Sequence, residues 1–144
     1  MSTRSVIGKL IDGAIIKAIH CHWDGYPEHN GDLLVNHYKD EAKIDALLEL
    51  GDLSSLGPEI GQRIDFNDRP LVFESQRTQC VAYGRDRKER GTEANVYPNL
   101  QYILHHYSDV EYVYIWNGST WACYNHKGKM YDLTQFKEGD DVMA

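Results

Sequence analysis

Alternating and β-branched apolar residues open and close this chain, and helical spacing occupies the parts between. Residues 4 to 11 and 14 to 23 are two such apolar runs flanking Asp12-Gly13. Asp-Gly between β-branched runs predicts a hairpin with a type I′ turn, because that turn needs positive φ at both central residues. In the second run Ile16, Ala18, His20 and His22 share one face, while Ile15, Lys17, Ile19, Cys21 and Trp23 share the other. Both faces are largely apolar, which suits an interior strand with helix over one side.

A loop at Asp24-Gly25-Tyr26-Pro27 follows. Leu33, Leu34, His37 and Tyr38, then Ile44, Leu47 and Leu48, fall at helical spacing. This predicts two short helices capped by Asp32 and Asp40, broken near Lys39 and ended by Gly51. Residues 51 to 76 are rich in Gly, Pro, Ser and Asp and read as a long irregular excursion that covers a site or hides a strand near Leu71-Val72-Phe73. A third strand is expected over 77 to 84, then a charged loop over 85 to 93, then a helix opened by Pro98 and carrying Leu100, Ile103, Leu104 and Tyr107. Asn117-Gly118 between alternating aromatic and β-branched residues predicts a second hairpin with a two-residue turn. Met130 to Leu133 reads as a last strand, and the tail from Lys137 as frayed. The expected fold is α+β: a mainly antiparallel sheet of five to six strands with two or three helices packed on one face.

Composition narrows the function classes. The 144 residues suit one domain, and 42% hydrophobic residues suffice for one core. A net charge of −7 and a pI near 5.4 disfavour broad binding to nucleic acid, which needs a basic face. No apolar run is long enough to cross a membrane and no signal-peptide pattern opens the sequence, so a cytoplasmic location is expected. Cys21, Cys80 and Cys123 are odd in number and form no Cys-x-x-Cys pair, as for buried reduced thiols.

The chemically densest stretch is residues 20 to 31, which holds His20, His22, Trp23, Asp24, Tyr26, Glu28 and His29. If the strand continued through Asp24, His20, His22 and Asp24 would point the same way, and with His29 they would form a ligand set for zinc or another divalent metal. The bland reading hydrogen-bonds these histidines to nearby carbonyls and acids. Six of the fifteen bases are Arg4, Arg77, Arg85, Arg87, Lys88 and Arg90, five of them between 77 and 90. A guanidinium fork there matches a phosphate or carboxylate, and Trp23 and Tyr26 offer a stacking surface. The bland reading pairs the same bases with Asp86, Glu89 and Glu93 on a solvated loop. The chain has no P-loop, no Gly-x-Gly-x-x-Gly and no Gly-x-Ser-x-Gly, so the usual nucleotide hydrolysis and dinucleotide motifs give no support.

The opening Met1-Ser2-Thr3-Arg4-Ser5-Val6-Ile7, the core His22-Trp23-Asp24-Gly25-Tyr26-Pro27, the segment from Gly51 to Gly57 and Tyr83-Gly84-Arg85-Asp86-Arg87 together resemble a family of small proteins of tailed bacteriophages and prophages. The resemblance covers most of the chain. It implies action inside a bacterial cell, with host defence as the associated role, and carries no catalytic assignment. The leading expectation is a non-enzymatic accessory protein that binds a small anionic, nucleotide-like ligand or a host protein. His22, Trp23, Asp24 and Tyr26 would form the pocket, with Arg85 and Arg87 toward the anion. The alternative is a metal-dependent hydrolase with His20, His22 and Asp24 on the ion and Glu28 or His29 as base. The aromatic C-terminal hairpin fits either core or an edge paired across a homodimer.

Overall fold

The computed structural model of the chain describes residues 2–136, so the tail expected to fray from Lys137 lies outside them. The fold is α+β, built on a mixed sheet of eight strands with five α-helices among the described residues.

The N-terminal hairpin forms as its sequence predicts. Strands β1 (Arg4–Ile11) and β2 (Ile15–Cys21) pair antiparallel with Ile11 opposite Ile15. Asp12 and Gly13 take φ of 54° and 70°, and Ala14 N–H donates to the Ile11 carbonyl. Both central residues of the turn are therefore left-handed, which Asp and Gly tolerate best.

After β2 the chain crosses one face through a π-helical turn at Pro27–Gly31, helix α1 (Asp32–His37) and helix α2 (Glu41–Glu49). The break near Lys39 is as predicted, whereas Asp32 does not open a helix, because the turn from Pro27 runs straight into α1. Gly51, at φ 77°, ends this arm in the left-handed conformation. The chain then returns as β3 (Leu53–Ser55), parallel to β2, and as β4 (Val81–Ala82), antiparallel to β3. A parallel pair needs a crossover of a dozen or more residues, and the two helices supply it. On the other flank β6 (Val110–Trp116) pairs parallel with β1. Beyond it come β7 (Trp121–Asn125) and β8 (Met130–Tyr131), each antiparallel to the strand before. Strand β5 (Asn95–Tyr97) lies against β2 at Ile16, Lys17 and Ala18.

The sheet is thus larger than the expected five or six strands, and mixed rather than mainly antiparallel. Two of the added strands, β3 and β5, are three residues long, too short for alternation to register in the sequence. The stretch Leu71-Val72-Phe73 is not a strand but part of helix α3 (Arg69–Ser75). Asp68 caps it by accepting the Leu71 N–H, and Pro70 sits in its first turn, both standard helix-start signals. The third strand expected over 77 to 84 shrinks to β4, because Tyr83 begins helix α4 (Tyr83–Arg87). The second hairpin closes through four residues, 117–120, rather than two. Asn117 Oδ1 accepts the N–H groups of Ser119 and Thr120, which makes the longer loop self-supporting.

Helices cover both faces of the sheet, not one. Ile7, Ile19, Cys21, Tyr114 and Cys123 pack with Leu34, Tyr38, Ile44, Leu47 and Leu48 of α1 and α2. On the opposite face Val6, Ile16, Ala18, Val113 and Ile115 pack with Ile103 of helix α5 (Leu100–His106). Asn99 caps α5 through the Tyr102 N–H. The physical reason is in the strands themselves: β1 and β6 carry fully buried residues on alternate faces, Val6 beside Ile7 and Val113 beside Tyr114, so each face needs cover. No helix among the described residues is long and apolar enough to cross a membrane.

Candidate functional site

The dense stretch from His20 to Gly31 is bound into the fold along most of its length. β2 ends at Cys21, and Asp24 takes φ of 57°, which turns the chain away before the alternation can reach it. His22 N–H and Trp23 N–H donate to the carbonyls of Leu53 and Ser54. Gly25 N–H donates to the Thr3 carbonyl at 2.8 Å, and its own carbonyl accepts the buried Tyr114 hydroxyl at 2.6 Å. Asn30, fully buried, donates to Ser5 Oγ and Cys21 Sγ and bonds His29 Nδ1. The segment plugs one end of the sheet.

The four predicted metal ligands do not come together as a set among the described residues. His20 stacks on Tyr107 with ring centroids 5.6 Å apart, His22 meets Trp23 edge-on, and His29 bonds Asn30 beside Tyr26. Among the described residues no three His, Cys, Asp or Glu side chains are grouped to share an ion. All three cysteines are buried and unpaired, and burial pushes the thiols up, to about 12 for Cys21 and Cys123. A thiol held that high is not a thiolate nucleophile at neutral pH.

Around His20 the structure adds partners that the sequence did not suggest. Its backbone N–H donates to Asp52 Oδ1 at 2.9 Å, Tyr107 hydrogen-bonds Tyr97 through the hydroxyls, and Arg4 pairs with Asp109 at 3.3 Å. Burial lowers the His20 pKa, with Asp109 opposing and His22 and Arg4 adding to the fall. A histidine depressed in the folded state stabilises the protein above its unfolded value near 6.5, and that contribution is lost as pH falls through the folded value. Urea midpoints measured near pH 7.5 and near pH 5 are therefore expected to fall further for the wild type than for His20→Gln. Equal falls would contradict the assignment.

The cationic segment divides into a structural member and an available one. Arg85 donates through Nε and Nη2 to Asp86 and through Nη1 and Nη2 to the carbonyls of Ile60 and Cys80, so its fork is already filled. Asp86, 3% exposed, also accepts the N–H groups of Ile64 and Ala82 at 3.0 and 2.8 Å. Together the pair ties residues 60–64 to β4 and α4. Arg87 is free of that knot. Its guanidinium lies 5.3 Å from the Phe66 ring centre and 3.9 Å from Glu89, an exposed contact of little strength.

Between the two tied segments opens a cleft of about 510 Å³, lined by Arg63, Asp65, Phe66, Asn67, Asp86, Arg87 and Lys88. Three cations border it. Of the two acids, Asp86 faces its four donors, and Asp65 Oδ1 accepts the Asn67 N–H. Tyr83 packs against Phe66 with centroids 5.9 Å apart. His22, Trp23, Asp24 and Tyr26 do not line this cleft. Trp23 is nonetheless joined to β3, the neighbour of β4, since its N–H donates to the Ser54 carbonyl.

Sequence reasoning therefore reached Arg87 and Lys88 but missed Arg63 and Phe66. The available signal was Ile64 and Phe66, two apolar residues at strand spacing inside an otherwise polar run, which marks a segment fastened to something. Comparison with models of known protein families, with curated proteins and with solved structures finds no match to this chain.

Proposed function

We propose that the protein binds a small anionic, nucleotide-like ligand in the cleft between residues 63–67 and 86–88. The observation that carries this reading is the convergence of Arg63, Arg87 and Lys88 beside the Phe66 ring in a chain whose net charge is −7. An acidic protein repels anions over most of its surface, so a local group of three cations is a selective place for one to settle. Arginine offers a planar pair of donors to each phosphate, and a flat aromatic face accepts a base by stacking, worth about 1–3 kcal/mol per base. The buried Arg85–Asp86 pair beneath fixes the spacing of the two walls, so the ligand meets a formed cleft.

The wider role follows from the resemblance to phage proteins and from nothing else: a phage-encoded accessory protein in the bacterial cytoplasm, countering host defence by sequestering a nucleotide signal. Isothermal titration tests the binding step. Adenosine diphosphate is expected to bind about tenfold tighter than pyrophosphate, the difference being the stacked base. Arg87→Ala is expected to weaken both by about tenfold or more, as loss of a charge-assisted pair requires. Absence of binding by either ligand, or unchanged affinity in Arg87→Ala, would overturn the proposal.

A further inference from the structure

A second concavity, of about 470 Å³, lies between the C-terminal end of α1, the 117–120 loop and residues 130–134. Its volume is within the range of about 300–1,000 Å³ that takes small organic ligands. The base is aromatic and rigid: Tyr38 is wholly buried, Trp116 and Trp121 nearly so, and the two indoles stand 5.6 Å apart, while the accessible apolar surface of the groove comes from Val35, Met130 and Tyr131. Their polar atoms already have partners. Trp121 Nε1 donates to the Tyr38 carbonyl at 2.8 Å and Trp116 Nε1 to Glu41 at 3.3 Å, which locks the rings in place.

The rim is sorted in the same way. Asn117 Oδ1 collects the loop amides and Ser119 Oγ, and Asp132 Oδ1 takes the N–H and hydroxyl of Thr134. Lys39 is the groove's sole cationic side chain and makes no ion pair among the described residues. The Tyr131 and Thr120 hydroxyls, also at the groove, have no hydrogen-bond partner among those residues. An apolar groove on a rigid aromatic base, with one ammonium and two hydroxyls at its mouth and its one carboxylate turned to Thr134, suits an amphiphilic anion. We infer that this groove is a second ligand site, separate from the cationic cleft, for an amphiphilic anion: a flat apolar ring system bearing a single carboxylate or sulfonate. Val35, Met130 and Tyr131 would cover the body, and Lys39 would meet the acid.

The full-length chain tests this with two fluorescent probes, the anionic 8-anilinonaphthalene-1-sulfonate and the neutral N-phenyl-1-naphthylamine. Saturable binding of the sulfonate at one site, with quenching of tryptophan emission, is expected. Lys39→Glu should weaken the sulfonate by about tenfold and leave the neutral probe unchanged, since only the charge contact is altered. Thr120→Trp, an exposed position whose turn bonds use only its backbone, should fill the mouth and weaken both probes. Far-UV circular dichroism confirms that both variants fold, and adenosine diphosphate affinity should match the wild type in each, which separates this site from the first. Absence of saturable sulfonate binding, or binding unaltered by both substitutions, would overturn the inference.

Discussion

Asp86→Ala is expected to destabilise the protein by about 3–5 kcal/mol, the usual consequence of removing one partner from a buried ion pair. The carboxylate accepts four hydrogen bonds, from Ile64 N–H, Ala82 N–H and two nitrogens of Arg85. Alanine orphans two buried amides and leaves a guanidinium that is only 17% exposed without its counter-charge. Asp86→Asn should be intermediate, because an amide keeps one acceptor but turns its NH₂ toward donors. Glu89→Ala is the contrast: its exposed 3.9 Å contact with Arg87 predicts a change of about 0–1 kcal/mol. Urea denaturation of the three variants checks the ordering. A loss below about 1 kcal/mol in Asp86→Ala would mean that the pair does not hold the cleft walls together.

The second large effect is expected in the Trp-Asp-Gly-Tyr-Pro motif, and it separates a structural role from a binding role. A Cβ on Gly25 would stand 2.6 Å from Ser5 Cβ and 2.8 Å from the Thr3 carbonyl oxygen. The carbonyl cannot retreat, since it accepts the Gly25 N–H, and the Gly25 carbonyl is held in turn by Tyr114. Gly25→Ala should therefore cost about 3 kcal/mol, the upper part of the usual range for overpacking. Ser5→Gly in the same chain removes the nearest colliding atoms and should recover part of the loss. His22→Ala and Trp23→Ala, at the edge of the plug, should alter adenosine diphosphate affinity by less than about twofold, because neither residue lines the cationic cleft. A large loss of affinity in Trp23→Ala would move the ligand toward the plug.

How much of this was legible in the sequence depends on the range of the signal. The two hairpins, the paired helices α1 and α2 and the helix after Pro98 carry local signatures in turn residues and spacing, and all form. What escaped was set by partners distant in sequence. Ser54 and Ser55 offer no strand pattern, and β3 exists because α1 and α2 carry the chain back beside β2. His20, His22, Asp24 and His29 look like a ligand set in one dimension, yet the left-handed turn at Asp24 and the hydrogen bond of His29 to Asn30 take the last two elsewhere. The four-to-three balance of bases and acids over residues 85 to 93 concealed that Arg85 and Asp86 cancel each other internally. With that pair buried, Arg87 and Lys88 remain at the surface, and Arg63 arrives from a segment twenty-four positions earlier than Arg87.

The most direct test of the proposed ligand site is a titration of the isotopically labelled protein with adenosine diphosphate, followed by amide chemical shifts. Saturable shifts are expected at Arg63, Phe66, Arg87 and Lys88, with His22 to Tyr26 and the Trp116–Trp121 groove little changed. Shifts centred on either of those other regions, or none at millimolar nucleotide, would contradict the proposed site.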